Sequence, residues 1–187
     1  MAIKTTKFQI GRALSFFKTP DIFFAIGKTS PWVAGDYVGQ DVPQNPEKQP
    51  PAPNGDSIVK EVVGYRKADK VLLVTPHDGS SVPPGTQIIE STANTQWRVV
   101  SEAEAYTLNA KYVYIETTIQ PTDFPSGEYR QVGVFTGTTR KSGVAVGKLA
   151  LLPSEVQDAG KLEIIDNREK NIRNSATKEF LSYVIKF

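Results

Sequence analysis

Few residues of this chain could carry covalent or acid–base chemistry, and they are scattered. Its single histidine, His77, lies in "TPHDGSS" beside Asp78, Ser80 and Ser81. A histidine base needs a nucleophile on one ring nitrogen and an orienting acid on the other, assembled in space. Here the candidates are sequence neighbours in a Pro/Asp/Gly/Ser cluster, which is turn chemistry. The segment therefore reads as a turn. The chain has no cysteine, which removes disulfides, thiolate metal sites and a thiol nucleophile together. One histidine leaves only carboxylate-rich metal sites, and no spaced Asp/Asn calcium loop occurs. No metal and no cofactor are expected.

A phosphate loop fares no better. "SGVAVGK" ends in Gly147-Lys148. A P-loop requires glycine at the position of Ser142 and Ser or Thr at that of Leu149. The match fails twice, and the valine-glycine alternation reads as a bulged or bent strand behind a solvated tip, "TTRKSG". Paired carboxylates for sugar hydrolysis have no distinguishing signal. Glu102 and Glu104 fall on the same side of an expected strand, where a solvated face explains them. No enzyme and no small-molecule substrate are expected.

The charge balance points the same way. Twenty-two Lys and Arg against 20 Asp and Glu give +2 over 187 residues, and the densest basic group is the pair Arg140-Lys141. Nucleic-acid binding needs a concentrated positive patch, so none is expected. No run approaches the length of about 18 apolar residues of a spanning helix. The N-terminal "MAIKTTKFQIGRALSFF" lacks a continuous apolar region with a cleavage site. Neither a membrane partner nor an export signal is expected.

The elements that would position such residues are legible in outline. Ile10, Ala13, Leu14 and Phe17 fall on one helical face. Thr6 and Gln9 have capping-box spacing, and Thr19-Pro20 ends the helix. "IFFAI" reads as a strand buried on both faces, and Lys28 to Trp32 as the corner after it. "VPQNPEKQPPAPNGD" holds five of the 13 prolines and reads as a surface loop at about 41–56. "SIVKEVVGY" is ambiguous between helix and strand. "KVLLVTP", "KYVYIETTI", "YRQVGVFTG", "KLALLP", "KLEIIDN" and "KEFLSYVIKF" read as strands, and a hairpin is expected at Ala93-Asn94. The expectation is one structural domain over residues 1–187. Its class is α+β, mostly β, with an N-terminal helix packed on antiparallel β layers in a sandwich-like build, and sequential strands as pairing partners.

Three segments carry a family resemblance. "FFAIGKTSPW" is an aromatic-rich strand ending in glycine, a basic residue, a small polar pair and Pro-Trp, behind an N-terminal helix. "YVYIETTIQPTDFPSGEYRQVGVF" is an alternating strand, then Phe-Pro, a glycine turn and an aromatic-Arg-Gln strand start. "GKLEIIDNREKNIRNSATKEFLSYVIKF" is a glycine-led strand reaching Asp-Asn-Arg, a polar loop and a final hydrophobic strand ending in phenylalanine. In this order they resemble a baseplate wedge subunit of T4-like contractile-tailed bacteriophages, over roughly residues 5–32, 108–139 and 160–187. The chain lacks that protein's large insertions, so residues 33–107 look like a compact version of that region.

The resemblance implies a non-enzymatic structural subunit of the tail baseplate wedge, in the virion and assembled in the host bacterial cytoplasm. It implies a homodimer in contact with other wedge proteins around the tail hub. Two other readings stay open: a virion adaptor or connector for tail fibres, and a β-sandwich glycan-binding module. Partner contacts have two candidate places. Pro31 and Trp32 either line a subunit contact or leave Trp32 as an ordinary core anchor. Pro43, Pro46, Pro50, Pro51 and Pro53 either stiffen a surface loop or form an extended strap for a partner's groove.

Overall fold

The computed structural model describes residues 3–91 and 95–187. Strands hold 38% of the described residues and helical turns 12%. In chain order the elements are α1 (Thr6–Phe17), β1 (Phe23–Gly27), β2 (Gly64–Lys67), β3 (Lys70–Pro76), β4 (Ile88–Glu90), β5 (Gln96–Val99), β6 (Tyr112–Ile119), β7 (Gly127–Thr136), β8 (Thr139–Arg140), β9 (Ala150–Leu151), β10 (Val156–Asp158), β11 (Lys161–Arg173) and β12 (Glu179–Lys186), with three short 3-10 turns. The expected class holds: one α-helix and antiparallel β-sheets. The residues group into two compact units, each built from separated stretches of chain.

The first unit comprises 3–19, 68–117 and 180–187. Its sheet has the order β12-β6-β3-β5-β4, with β3 antiparallel to both β6 and β5. Helix α1 packs on β3. The cap is Thr5 rather than Thr6, because the Thr5 side chain accepts from the Phe8 N–H at 3.2 Å. Ile10, Ala13 and Phe16 are the buried face. Phe16 replaces the expected Phe17 there, and its ring meets Phe187 at 5.4 Å. Strands β4 and β5 pair antiparallel, as the expected hairpin requires, while its turn at Ala93-Asn94 lies outside the described residues.

The second unit comprises 20–67 and 118–179. Its main sheet has the order β11-β7-β1-β2-β9, and a small sheet pairs β10 with β8. Strand β1 is central, antiparallel to β2 and β7, and buried at every residue. That is the continuous apolar pattern of a strand covered on both faces. Phe23, Ala25, Tyr65, Phe135 and Leu151 form one core cluster, with Tyr65 and Phe135 edge to face at 5.5 Å. Pairing is antiparallel, yet most partners are not sequential: β1 joins β7, and β2 joins β9. "SGVAVGK" forms turns, not a bent strand. "KLEIIDN" begins a strand that runs on to Arg173 through the polar stretch expected as a loop. A register shift between Asn167 and Asn171 lets it continue there.

Candidate functional site

Stretches of all three segments that carry the resemblance lie in the second unit, and they meet around the corner after β1. Gly27 makes the corner possible. A Cβ there would collide with the Lys60 carbonyl, which instead accepts from the Lys28 N–H at 2.6 Å. Lys28 then turns with φ 56°, and Glu61, in the neighbouring stretch, has φ 47°. Two non-glycine residues in the left-handed region mark stored strain. Their side chains supply the compensation.

Lys28 is 3% exposed. Its ammonium donates to the Ser30 hydroxyl at 2.7 Å and to the Pro31 carbonyl at 3.1 Å. It pairs with Asp36 at 3.3 Å and lies 5.5 Å above the centre of the Trp32 ring. Glu61 caps the same turn, accepting from the Thr29 hydroxyl (2.6 Å), the Ser30 N–H (2.7 Å) and the Ser30 hydroxyl (2.6 Å). These bonds, led by the one from the Ser30 hydroxyl, hold its carboxyl down at about 2. Burial pushes Asp36 up, but Lys60, the Val33 N–H and Lys28 outweigh it and the carboxyl ends below its usual range.

Arg130 completes the centre. It begins the run "RQVGVF" on β7 and is 1% exposed. Its Nε–H donates to Glu47 at 2.9 Å, one Nη to the Thr29 carbonyl at 2.7 Å, and the other to Glu128 at 2.9 Å. Glu47 also accepts from the Trp32 N–H at 2.9 Å. Arg130 above all keeps the Glu47 carboxyl below its ordinary value. The β11 register shift lies opposite Arg130: Asn167 pairs with Gln131, and Asn171 with Tyr129. The loosened backbone offers the Arg168 carbonyl to the Trp32 indole N–H at 2.9 Å.

The proline-rich stretch closes over this centre by its backbone. The Tyr37 hydroxyl donates to the Gln49 carbonyl at 2.6 Å and sits 3.1 Å from that of Pro46. Gln40 bonds both the N–H and the carbonyl of Ala52 at 2.8 Å. The Asn167 amide donates to the Pro51 carbonyl at 2.8 Å. Trp32 and Pro51 are thus buried, Pro43, Pro46 and Pro50 half-buried, and Pro31 and Pro53 exposed.

Sequence reasoning missed Asp36, Glu47, Glu61 and Arg130 as one network. A signal existed: a charge entering an apolar strand run needs a partner. His77, Asp78, Ser80 and Ser81 belong to the first unit. Asp78 accepts from the Ser80 N–H at 3.0 Å with Gly79 at φ 84°, a turn as its residues suggested. Among the described residues no group of three or more His, Asp or Glu could hold a metal. Among the same residues no helix is long and apolar enough to cross a membrane.

The corner is a hydrogen-bonded network whose charges answer one another. Comparison with known proteins agrees with a structural part. A family model described as "Baseplate wedge 3 tail fiber network component" matches residues 1–187. "Virion protein 3" of Enterococcus phage phiEF24C is 32% identical over 180 residues, which cover 94% of this chain and 89% of that protein. This chain belongs to the baseplate wedge 3 tail fiber network family, and is a structural component of a phage baseplate.

Proposed function

We propose that this protein is a non-enzymatic wedge subunit that works as a homodimer. It joins other wedge proteins around the tail hub of a contractile tail, after assembly in the host bacterial cytoplasm. The observation that carries this reading is the corner itself. Buried Lys28 and Arg130 are answered by Asp36, Glu61, Glu47 and Glu128, so that the charges of the corner are spent on one another. Around it the strap and its neighbours offer apolar side chains to solvent: Val33 (56% exposed), Val38 (73%), Val42 (49%) and Ile58 (63%). A self-satisfied frame with an apolar rim suits a part that holds geometry and meets other proteins. Pro31, Trp32 and the strap prolines 43, 46, 50, 51 and 53 are the contact region in this reading.

A second reading, a connector for tail fibres, draws on the family's own description, which names a tail fiber network. The glycan-binding alternative draws less support. Trp32 is buried, and the Trp97 ring packs against Tyr112 at 5.0 Å with the planes tilted by 55°, so each ring packs inside its own unit.

Affinity capture with a tagged copy from infected cells tests the proposal. Recovery of wedge proteins with an untagged copy of the chain is the expected result. Fibre proteins alone would favour the connector, and a catch without virion proteins would overturn both.

A further inference from the structure

We propose that Arg98 is a receptor for a carboxylate, gripped by the two Nη groups where two open clefts of the first unit share this side chain. Arg98 lies on β5, opposite Thr75 of β3 on one side and Ile88 of β4 on the other. Its side chain is 20% exposed. The Nε–H is enclosed and has no acceptor. The ionic neighbour is Glu104, at 3.9 Å, which is beyond hydrogen-bond reach. Arg130 offers the contrast, since it spends its donors on Glu47, Thr29 and Glu128.

The nearby carboxylates each accept a bond from their own turn and none from Arg98. Glu104 accepts from the Ser101 hydroxyl at 2.6 Å, and Asp78 from the Ser80 N–H at 3.0 Å. One cleft, of roughly 320 Å³, is lined by Arg98 with Thr75, His77, Asp78 and Ser80. The other, of roughly 400 Å³, is lined by Arg98 with Gly85, Thr86, Gln87 and Glu104. An arginine whose side chain is one-fifth exposed and whose Nε–H lacks an acceptor favours an oxyanion at the end that the clefts reach. Asp78 and Glu104 set the class. Their negative charges oppose a phosphate dianion more than a carboxylate monoanion. The carboxylate comes either from an acidic side chain of another baseplate protein or from a small free acid. The first source rests on the structural-component reading above; the second does not.

Because His77 is the chain's only histidine, its ring signals in an NMR spectrum are unambiguous reporters of this cleft. The ¹⁵N-labelled full chain is titrated with sodium acetate against sodium chloride at constant ionic strength. It is then titrated with the blocked tripeptide Ac-Gly-Glu-Gly-NH2. The expected result is a saturable shift of the His77 and Arg98 side-chain signals. Arg98→Gln should abolish it, and Arg98→Lys, which keeps charge but not the planar fork, should weaken it at least about tenfold. Tighter saturation by the tripeptide assigns the site to a protein side chain, and equal or tighter saturation by acetate to a small acid. No saturable shift with either probe, or the same shift with chloride alone or in Arg98→Lys, overturns the proposal. If Arg98→Gln fails to fold, Arg98→Lys decides. Failure here leaves the capture experiment untouched.

Discussion

Arg130 and Glu47 stand 83 residues apart in sequence and meet at 2.8–3.0 Å, with the guanidinium 2% exposed and the carboxylate 34%. This pair ties the proline-rich strap to strand β7, and Glu47 passes the constraint on to the Trp32 backbone. Removing one partner of a buried pair costs far more than the pair is worth, because the other charge stays behind unanswered. Arg130→Leu should therefore destabilise the fold by about 3–5 kcal/mol. Glu47→Gln should cost about 1–3 kcal/mol, since Glu128 and the Thr29 carbonyl still hold the guanidinium. Urea unfolding of the two variants measures both. Equal losses would mean that the bond to Glu47, and not the contacts of Arg130 with Glu128 and Thr29, is what the corner depends on.

How much of this was readable beforehand follows from range. Strand β1, the helix and the long alternating strands are written in local periodicity, and the sequence placed them within a residue or two. "SIVKEVVGY" was ambiguous for a physical reason. Its first part is neither helix nor strand but an irregular stretch bent by Glu61, whose φ is set by contacts with Thr29 and Ser30 across more than 30 residues. The length of β11 was hidden in the same way. Its polar residues are answered from outside the strand: Asn167 by Pro51, Glu169 by Lys48, and the Arg168 carbonyl by Trp32. Local pattern shows which stretches are strands; it does not show which loops will serve them.

Acid should loosen the corner. Glu61 has an ordinary value of 4.5 and is held at about 2 in the fold, by the Ser30 hydroxyl first. Asp36 and Glu47 are also held below their ordinary range. A group lowered by folding adds stability that is present above its unfolded value and lost as pH falls toward its folded one. Stability should thus be level near neutrality and fall between about pH 4.5 and 2. Glu61→Gln should reduce the acid slope while lowering stability at pH 7. Because the Glu61 side chain is 40% exposed, solvent screening makes its share modest. Thermal midpoints of both proteins across that range provide the check, and parallel curves would assign the acid loss to other groups.

Phe124 tests the core of the second unit. Its ring lies against Gly64 so closely that a Cβ there would overlap it, and the Arg173 guanidinium sits 5.7 Å from the ring centre. Gly64→Ala should force ring and strand apart and cost about 1–3 kcal/mol. Phe124→Leu in the same background should recover part of the loss, as a smaller side chain makes room. Chemical denaturation of the single and double variants gives the coupling. A simple sum of the two effects would show that contact with Phe124 is not what keeps position 64 as glycine.

Trp32 separates holding the corner from meeting a partner. The ring is 4% exposed, lies under Lys28 and donates to the Arg168 carbonyl at the β11 register shift. Trp32→Ala removes all of this and should cost about 3–5 kcal/mol. Trp32→Phe keeps most of the packing and loses the indole bond, for about 1 kcal/mol. The milder variant is the informative one, because it should stay folded in the isolated chain. If it also recovers the same partners as the parent in the capture experiment, Trp32 acts through the fold alone. If folding is intact but partners are lost, the corner is itself part of the contact, and the exposed Pro31 beside it becomes the next residue to change.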